Sequence, residues 1–383
     1  MTSEERREAR YQRRRAAREA KRARSAETWD NYDRVNTFGG IYDGGRISAR
    51  GVRWKPSVQK YNLIRGQRVL TSYTELKARK IAPVKFIRFK VRERGKVREI
   101  EAVGMKTRAE QRNACDRALM PAITRHLIYD CGACVKKKGQ TFAEARFMRH
   151  LTREIKKNGL ETWAVFYDFK GYFKNIPHAE AKADVSALFR DRDLVYQFHA
   201  WIDIFKRPGQ PAVGLGLGCQ HCQGLALERA NKLDHFMKER LRVRGYGRYN
   251  DDGYAFFSSK EKAQQALDAL RKLCEKLKIK LNEAKTHIQK ITQPMHYLKK
   301  VYKVVENGRV IKLLSRESKT RQRRKLKKLV KKVKAGKMTV KDVWQSFQSW
   351  ASTARRCDAY NAIWNMKRYF WNLLKGVQAC TTS

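Results

Sequence analysis

The sequence predicts an α+β fold, and three observations predict it. The run Trp163-Ala164-Val165-Phe166-Tyr167-Asp168 is apolar and β-prone, ends in an acid and breaks at Gly171. The stretch from Tyr246 to Phe257 has two aromatic flanks that meet at a tight turn bearing Asp251 and Asp252, with Asp252-Gly253 as the turn signal. Apolar residues recur at helical spacing in Phe142, Ala145, Met148, Leu151 and Ile155, in Ala226, Ala230, Leu233, Met237 and Leu241, and again in Ala263, Ala266, Leu267, Leu270, Leu273 and Leu277. Asp-Gly between aromatic runs is also a common structural hairpin. Asp168 shifts the balance, because a strand-end acid beside a hairpin with two more is the arrangement that holds two hard divalent cations, which take oxygen ligands and bridge phosphates.

Composition narrows the class. The chain has 383 residues, 87 Lys+Arg against 37 Asp+Glu, and a net charge of +50. That balance calls for a polyanion partner, nucleic acid rather than a membrane surface. No apolar run reaches the length of a membrane span, and the charged start is not signal-like, so a cytoplasmic protein without membrane contact is expected. The eight cysteines suggest reduced thiols. Two Cys-x-x-Cys pairs, Cys131/Cys134 and Cys219/Cys222, would bind zinc only if they converged across a long intervening stretch; otherwise they are buried thiols.

In chain order, residues 1–27 are densely charged, as in Arg13-Arg14-Arg15, and form either a solvated helix or an arm that orders on RNA. Beyond them come expected turns at Gly39-Gly40 and Gly44-Gly45, a break at Trp54-Lys55-Pro56, and Trp29 and Trp54 as packing anchors. Alternation over residues 85–100 predicts a basic β-hairpin turning at Arg94-Gly95. Ala114, Ala118, Ala122, Ile123 and Leu127 mark a helix, and Lys136-Lys137-Lys138-Gly139 precede another. Leu194, Phe198, Trp201 and Ile202 read as core. Residues 214–223 are glycine-rich and open a helix, which lets backbone approach a base or sugar and favours phosphate. From about Leu313 the chain is expected to be helical and basic, with Leu326, Leu329, Val330 and Val333 on one stripe and Gly336 as a break.

These motifs, in this order, resemble the reverse transcriptase family. Asp168 matches the first catalytic aspartate, Tyr249-Asn250-Asp251-Asp252 the tyrosine-x-Asp-Asp box, and Gly218 to Gln223 the motif between them. The resemblance implies a right-hand polymerase: a basic arm (1–27), an N-terminal extension and fingers (28–160), a palm with an antiparallel sheet (161–300), and a basic helical thumb and tail (301–383). It implies catalysis by Asp168, Asp251 and Asp252, which with Phe169 would bind two magnesium ions, manganese being the alternative. Arg98, in Lys96-Val97-Arg98-Glu99-Ile100, would clamp the triphosphate; Phe173 would block a ribose 2′-hydroxyl; Gln223 and Lys285 would face the nucleotide, Lys285 near the leaving pyrophosphate. Lys138, Gly139, Gly218 and Tyr249 would contact template or primer. Met295-His296-Tyr297-Leu298 resembles the primer-grip hairpin, with Lys299 at the usual glycine, and Ser349-Trp350 resembles a thumb pair.

Within the family, Leu217-Gly218-Cys219-Gln220-His221-Cys222-Gln223 follows the diversity-generating retroelement pattern, aliphatic-Gly-x-x-x-Ser-Gln, with Cys222 for serine and Gly216 where proline is usual. That subgroup copies a template RNA into cDNA with errors at adenines, using dNTPs, holding an RNA–DNA hybrid and working with a small basic accessory oligomer. A phage-defence or group II-like reverse transcriptase is the alternative setting. A non-catalytic RNA-binding protein with this fold is another, and predicts a lost acid, whereas all three acids are present.

Overall fold

The computed structural model describes residues 2–93 and 95–378; Arg94 of the expected hairpin turn and the tail from 379 lie outside the described residues. Dense charge without an apolar stripe keeps the N-terminal segment off the core. It forms one exposed helix, α1 (Ser3–Trp29), opened by a Thr2/Glu5 capping box and docked at its end by Ala26 and the buried Trp29.

Four helices follow: α2 (Tyr32–Val35), α3 (Phe38–Ser48), α4 (Pro56–Leu63) and α5 (Arg65–Lys77). Two expectations are corrected here. The glycine pairs are not turns but lie inside α3, where a Cβ at Gly40 would run into the Asn113 and Arg117 side chains and one at Gly44 into the Ala109 carbonyl. Glycine is present because two helices touch through their backbones, a demand that local composition does not reveal. Trp54 is 71% exposed and anchors nothing; Pro56 simply starts α4.

The basic hairpin forms as expected, β1 (Phe86–Glu93) against β2 (Lys96–Val103), with Val91 opposite Arg98. Next, α6 (Met105–Ala114), a π-helical turn over Cys115–Leu119 and α7 (Met120–Thr124) carry Ala114, Ala118, Ala122 and Ile123 into the core. The central unit comprises α8 (Gln140–Asn158), β3 (Trp163–Asp168), α9 (His178–Leu188), α10 (Arg192–Asp203), α11 (Gln220–His235), β4 (Tyr246–Tyr249), β5 (Asp252–Phe257), α12 (Lys260–Lys276) and β6 (His287–Lys290).

Its antiparallel sheet runs β4-β5-β3-β6. The two-residue period of β3 sends Val165 and Tyr167 into one core, with Leu233, Leu267 and Leu270, and Ala164 and Phe166 into another, with Phe147 of α8 and Tyr254. A strand buried on both faces explains the near-continuous apolar run before Asp168.

β7 (Met295–Tyr297), β8 (Lys300–Val304) and β9 (Val310–Leu314) form a further sheet, so the first residues of the stretch assigned to a helical thumb from 301 are strands, and helix begins at Arg316. Lys299 adopts φ 65° in the β7–β8 turn, the conformation a glycine would favour. The helical bundle then follows as α13 (Arg316–Lys334), α14 (Val340–Ala354) and α15 (Tyr360–Gln378), packed through Leu326, Val330, Val343, Phe347, Met366 and Phe370. Among the described residues, no helix is long and apolar enough to cross a membrane.

Candidate active site

The hairpin between β4 and β5 closes with a two-residue loop, Asn250-Asp251, and Asn250 takes the left-handed conformation at φ 55°, which asparagine tolerates better than most residues. The turn therefore sits one step earlier than Asp252-Gly253. Gly253 lies within β5, opposite Arg248, because a Cβ there would run into the Tyr167 ring. Asp252 is the first residue of β5 and pairs in register with Asp168, the last of β3. Both acids extend the face that carries Phe166 and Tyr254, so they stand together where the apolar row ends.

A third segment completes the group. Phe169 bridges Leu281, with Lys170 N donating to the Lys280 carbonyl at 2.8 Å and Asn282 N to the Asp168 carbonyl at 2.8 Å. This clamp delivers Lys285 Nζ and Asn282 Nδ2 to Asp168 Oδ2, each at 2.9 Å. Burial, a hydrogen bond with Asp168, and the charges of Asp251 and Asp168 push the Asp252 carboxyl up to about 7. Burial and Asp168 also raise Asp251, opposed by the cations Lys285 and Arg98. Burial disfavours the Lys285 ammonium, but its contact with Asp168 and the nearby acids outweigh that and raise its pKa.

Crowded carboxylates of raised pKa suit hard divalent cations, which supply the missing positive charge. Among the described residues, no three His, Cys, Asp or Glu side chains are arranged to close on one ion, and Lys285 stands against Asp168. The donor chemistry of the three carboxylates fits such ions. The Phe169 ring is buried against Tyr167 and Tyr172, so only its carbonyl is suited to serve as a ligand.

The other candidates lie at different distances from this group. Arg98, on β2, is near enough for its charge to act on Asp251. Phe173 is half-buried in a 3₁₀ turn (Tyr172–Asn175), edge-on to Tyr172. Gln223 is exposed near the start of α11. The thiol of Cys134 lies 4.0 Å from Gln223 Oε1 and 3.8 Å from Asn250 Oδ1, a juxtaposition the sequence did not announce. Tyr249 is half-buried beside Gly132.

Gly218 does make a close approach, but to protein: a Cβ would come within 2.9 Å of the Glu101 carbonyl on β2, and Glu101 N donates to the Leu217 carbonyl at 2.9 Å. Lys138 turns back on its own loop, donating to the Tyr129 carbonyl at 2.6 Å and lying over the Tyr129 and Phe142 rings; Lys136 and Lys137 are exposed beside it. Gly139 takes φ 148° before α8, with open space where a Cβ would be. Cys131, Cys219 and Cys222 are buried free thiols, and the pairs form no metal-binding cluster among the described residues.

An antiparallel sheet gathering three carboxylates at its strand ends, a basic hairpin whose arginine lies near Asp251, and a helical bundle downstream make up a right-hand polymerase fold. Residues 111–299 match the family model "Reverse transcriptase (RNA-dependent DNA polymerase)". That stretch is similar to a reverse transcriptase domain, and the matching family is one of RNA-directed DNA polymerases, which are nucleotidyltransferases.

Among solved structures, the chain is similar to apo telomerase from Candida tropicalis truncated from its C-terminal domain: 12% identity, TM-score 0.44, 59% of this chain and 54% of that one. It is also similar to telomerase from Candida albicans in complex with a fragment of telomeric RNA: 10% identity, TM-score 0.48, 78% of this chain and 56% of that one. The chain thus spans little more than half the length of these two. No curated protein matches it.

Proposed function

We propose that the protein is a cytoplasmic reverse transcriptase of a diversity-generating retroelement, copying a template RNA into cDNA by two-metal nucleotidyl transfer. The observation that carries the catalytic part is the register pair Asp168 and Asp252, with Asp251 in the adjoining turn, inside the matched domain. Asp168, Asp251 and Asp252, with the Phe169 carbonyl, would hold two divalent ions, magnesium or manganese. When bound, these ions activate the primer 3′-hydroxyl and neutralise the leaving pyrophosphate. Arg98 grips the triphosphate as a bidentate fork, Lys285 supplies a cation or proton where pyrophosphate departs, and Phe173 stands against the ribose. The basic α13 follows A-form backbone of the RNA–DNA hybrid rather than its sequence.

Leu217 to Gln223 favours the diversity-generating subgroup, in which errors at adenines and a small basic accessory oligomer are expected. The catalytic reading is tested with Asp251→Asn, which removes one ligand charge and leaves the basic surfaces intact. RNA affinity should persist while RNA-templated primer extension is lost, and a variant extending at the wild-type rate would refute the metal site. Sequencing the RNA and cDNA that copurify tests the subgroup: adenine-specific substitutions support it, and faithful copies count against it.

A further inference from the structure

Beneath the Asn250-Asp251 turn lies a charged network not accounted for by the three acids. Arg248 and Asp234 are fully buried and paired, Nε to Oδ1 at 2.8 Å and Nη2 to Oδ2 at 2.5 Å. Arg248 Nη1 donates to the Asn250 carbonyl at 2.8 Å, and Nη2 also reaches the Leu227 carbonyl at 3.4 Å. On the other side of the pair, the Tyr246 hydroxyl donates to Asp234 Oδ1 at 2.6 Å, and the Tyr167 and Tyr246 hydroxyls lie 2.6 Å apart. Tyr167 immediately precedes Asp168, and Asn250 immediately precedes Asp251. One network therefore joins both acid-bearing elements to α11.

A buried ion pair is a poor device for stability alone, since well-packed apolar residues of similar volume commonly hold a core at least as firmly. What the guanidinium adds is direction: a planar fork that satisfies a carboxylate and still aims a donor at a chosen carbonyl. The turn it grips contains the left-handed Asn250 and leads directly into Asp251 and Asp252.

We propose that Arg248, oriented by Asp234, is a positioning residue that fixes the Asn250-Asp251 turn, and with it the separation of Asp251 and Asp252 from Asp168. This rests on the assignment of those aspartates as the catalytic group.

The test uses the full chain. Arg248→Lys keeps a positive charge beside Asp234, but one ammonium cannot serve both that carboxylate and the Asn250 carbonyl in the same geometry. Arg248→Met combined with Asp234→Leu removes both charges and keeps the site filled. Each protein is compared with wild type for thermal midpoint, RNA affinity, amide exchange over residues 249–253, and single-nucleotide extension across a magnesium titration.

In both variants kcat should fall about 10²-fold, as for a misplacement of about 1 Å. The magnesium needed for half-maximal rate should rise and the turn amides should exchange faster, while dNTP KM and RNA affinity stay near wild type. Wild-type kcat and magnesium dependence in either folded variant would overturn the proposal. So would failure of both to fold, which would make the pair a folding element. Asp251→Asn in the same assay separates the two ideas: if it extends normally, the catalytic assignment fails independently of Arg248.

Discussion

The Lys285 ammonium and the Asn282 side-chain amide share a single oxygen, Asp168 Oδ2, each at 2.9 Å. Two donors on one carboxylate oxygen hold Asp168 in one orientation, and Lys285 also supplies positive charge to Asp251 and Asp252.

If Lys285 assists departure of pyrophosphate, Lys285→Met slows single-nucleotide incorporation by about 10²-fold or more while RNA affinity is preserved. Rapid-quench kinetics at saturating dNTP checks this. An unchanged incorporation rate would assign Lys285 only to holding Asp168.

Phe173 is partly buried, so Phe173→Ala has both a packing effect and a selectivity effect. Selectivity is read as the ratio of kcat/KM for dNTP to that for rNTP, which should fall by about tenfold or more, equivalent to about 1.4 kcal/mol. A variant that melts earlier but keeps the wild-type ratio would show the ring to be core alone.

The described side chains of α1 before Ala26 are almost all exposed. Deleting residues 1–25 should weaken binding to a structured cognate RNA and flatten its salt dependence by roughly 0.7 to 0.9 of log–log slope per lost phosphate contact. Synthesis on a short preformed hybrid at low salt should survive. Identical affinity and slope in the truncated protein would make α1 a solvated helix and nothing more.

Burial pushes the imidazoles of His150 and His221 down to about 4. In the unfolded chain they titrate near about 6.5. Their contribution to stability is therefore complete above that pH and is lost as pH falls toward 4, by up to about 1.4 kcal/mol per pH unit for each ring. Urea midpoints at pH 7 and pH 5 should differ less in His150→Gln than in wild type. Equal differences would mean that the folded protein already carries a protonated His150, beside Asp130.

The helices α8, α10 and α12, the β1–β2 hairpin and the β3 strand were legible because each is written in a local period, and the β4–β5 hairpin because aromatic flanks meet at acids. Where the period was ambiguous the expectation failed. Gly39-Gly40 and Gly44-Gly45 carry turn chemistry but lie within α3, where Gly40 and Gly44 serve close approach to α6, and β9 precedes a basic helix without a marker of its own.

The sequence by itself determined which acids occur, in what order, and that Asp251 and Asp252 sit on a hairpin while Asp168 ends a strand. Tertiary structure alone decided which groups face them. It pairs Asp168 with Asp252 across two strands, brings Lys285 onto Asp168, turns Lys138 inward and buries Arg248 against Asp234. Periods and turns depend on neighbours in the chain, whereas charge–charge contact and desolvation depend on residues far apart in sequence that only the packed fold brings together.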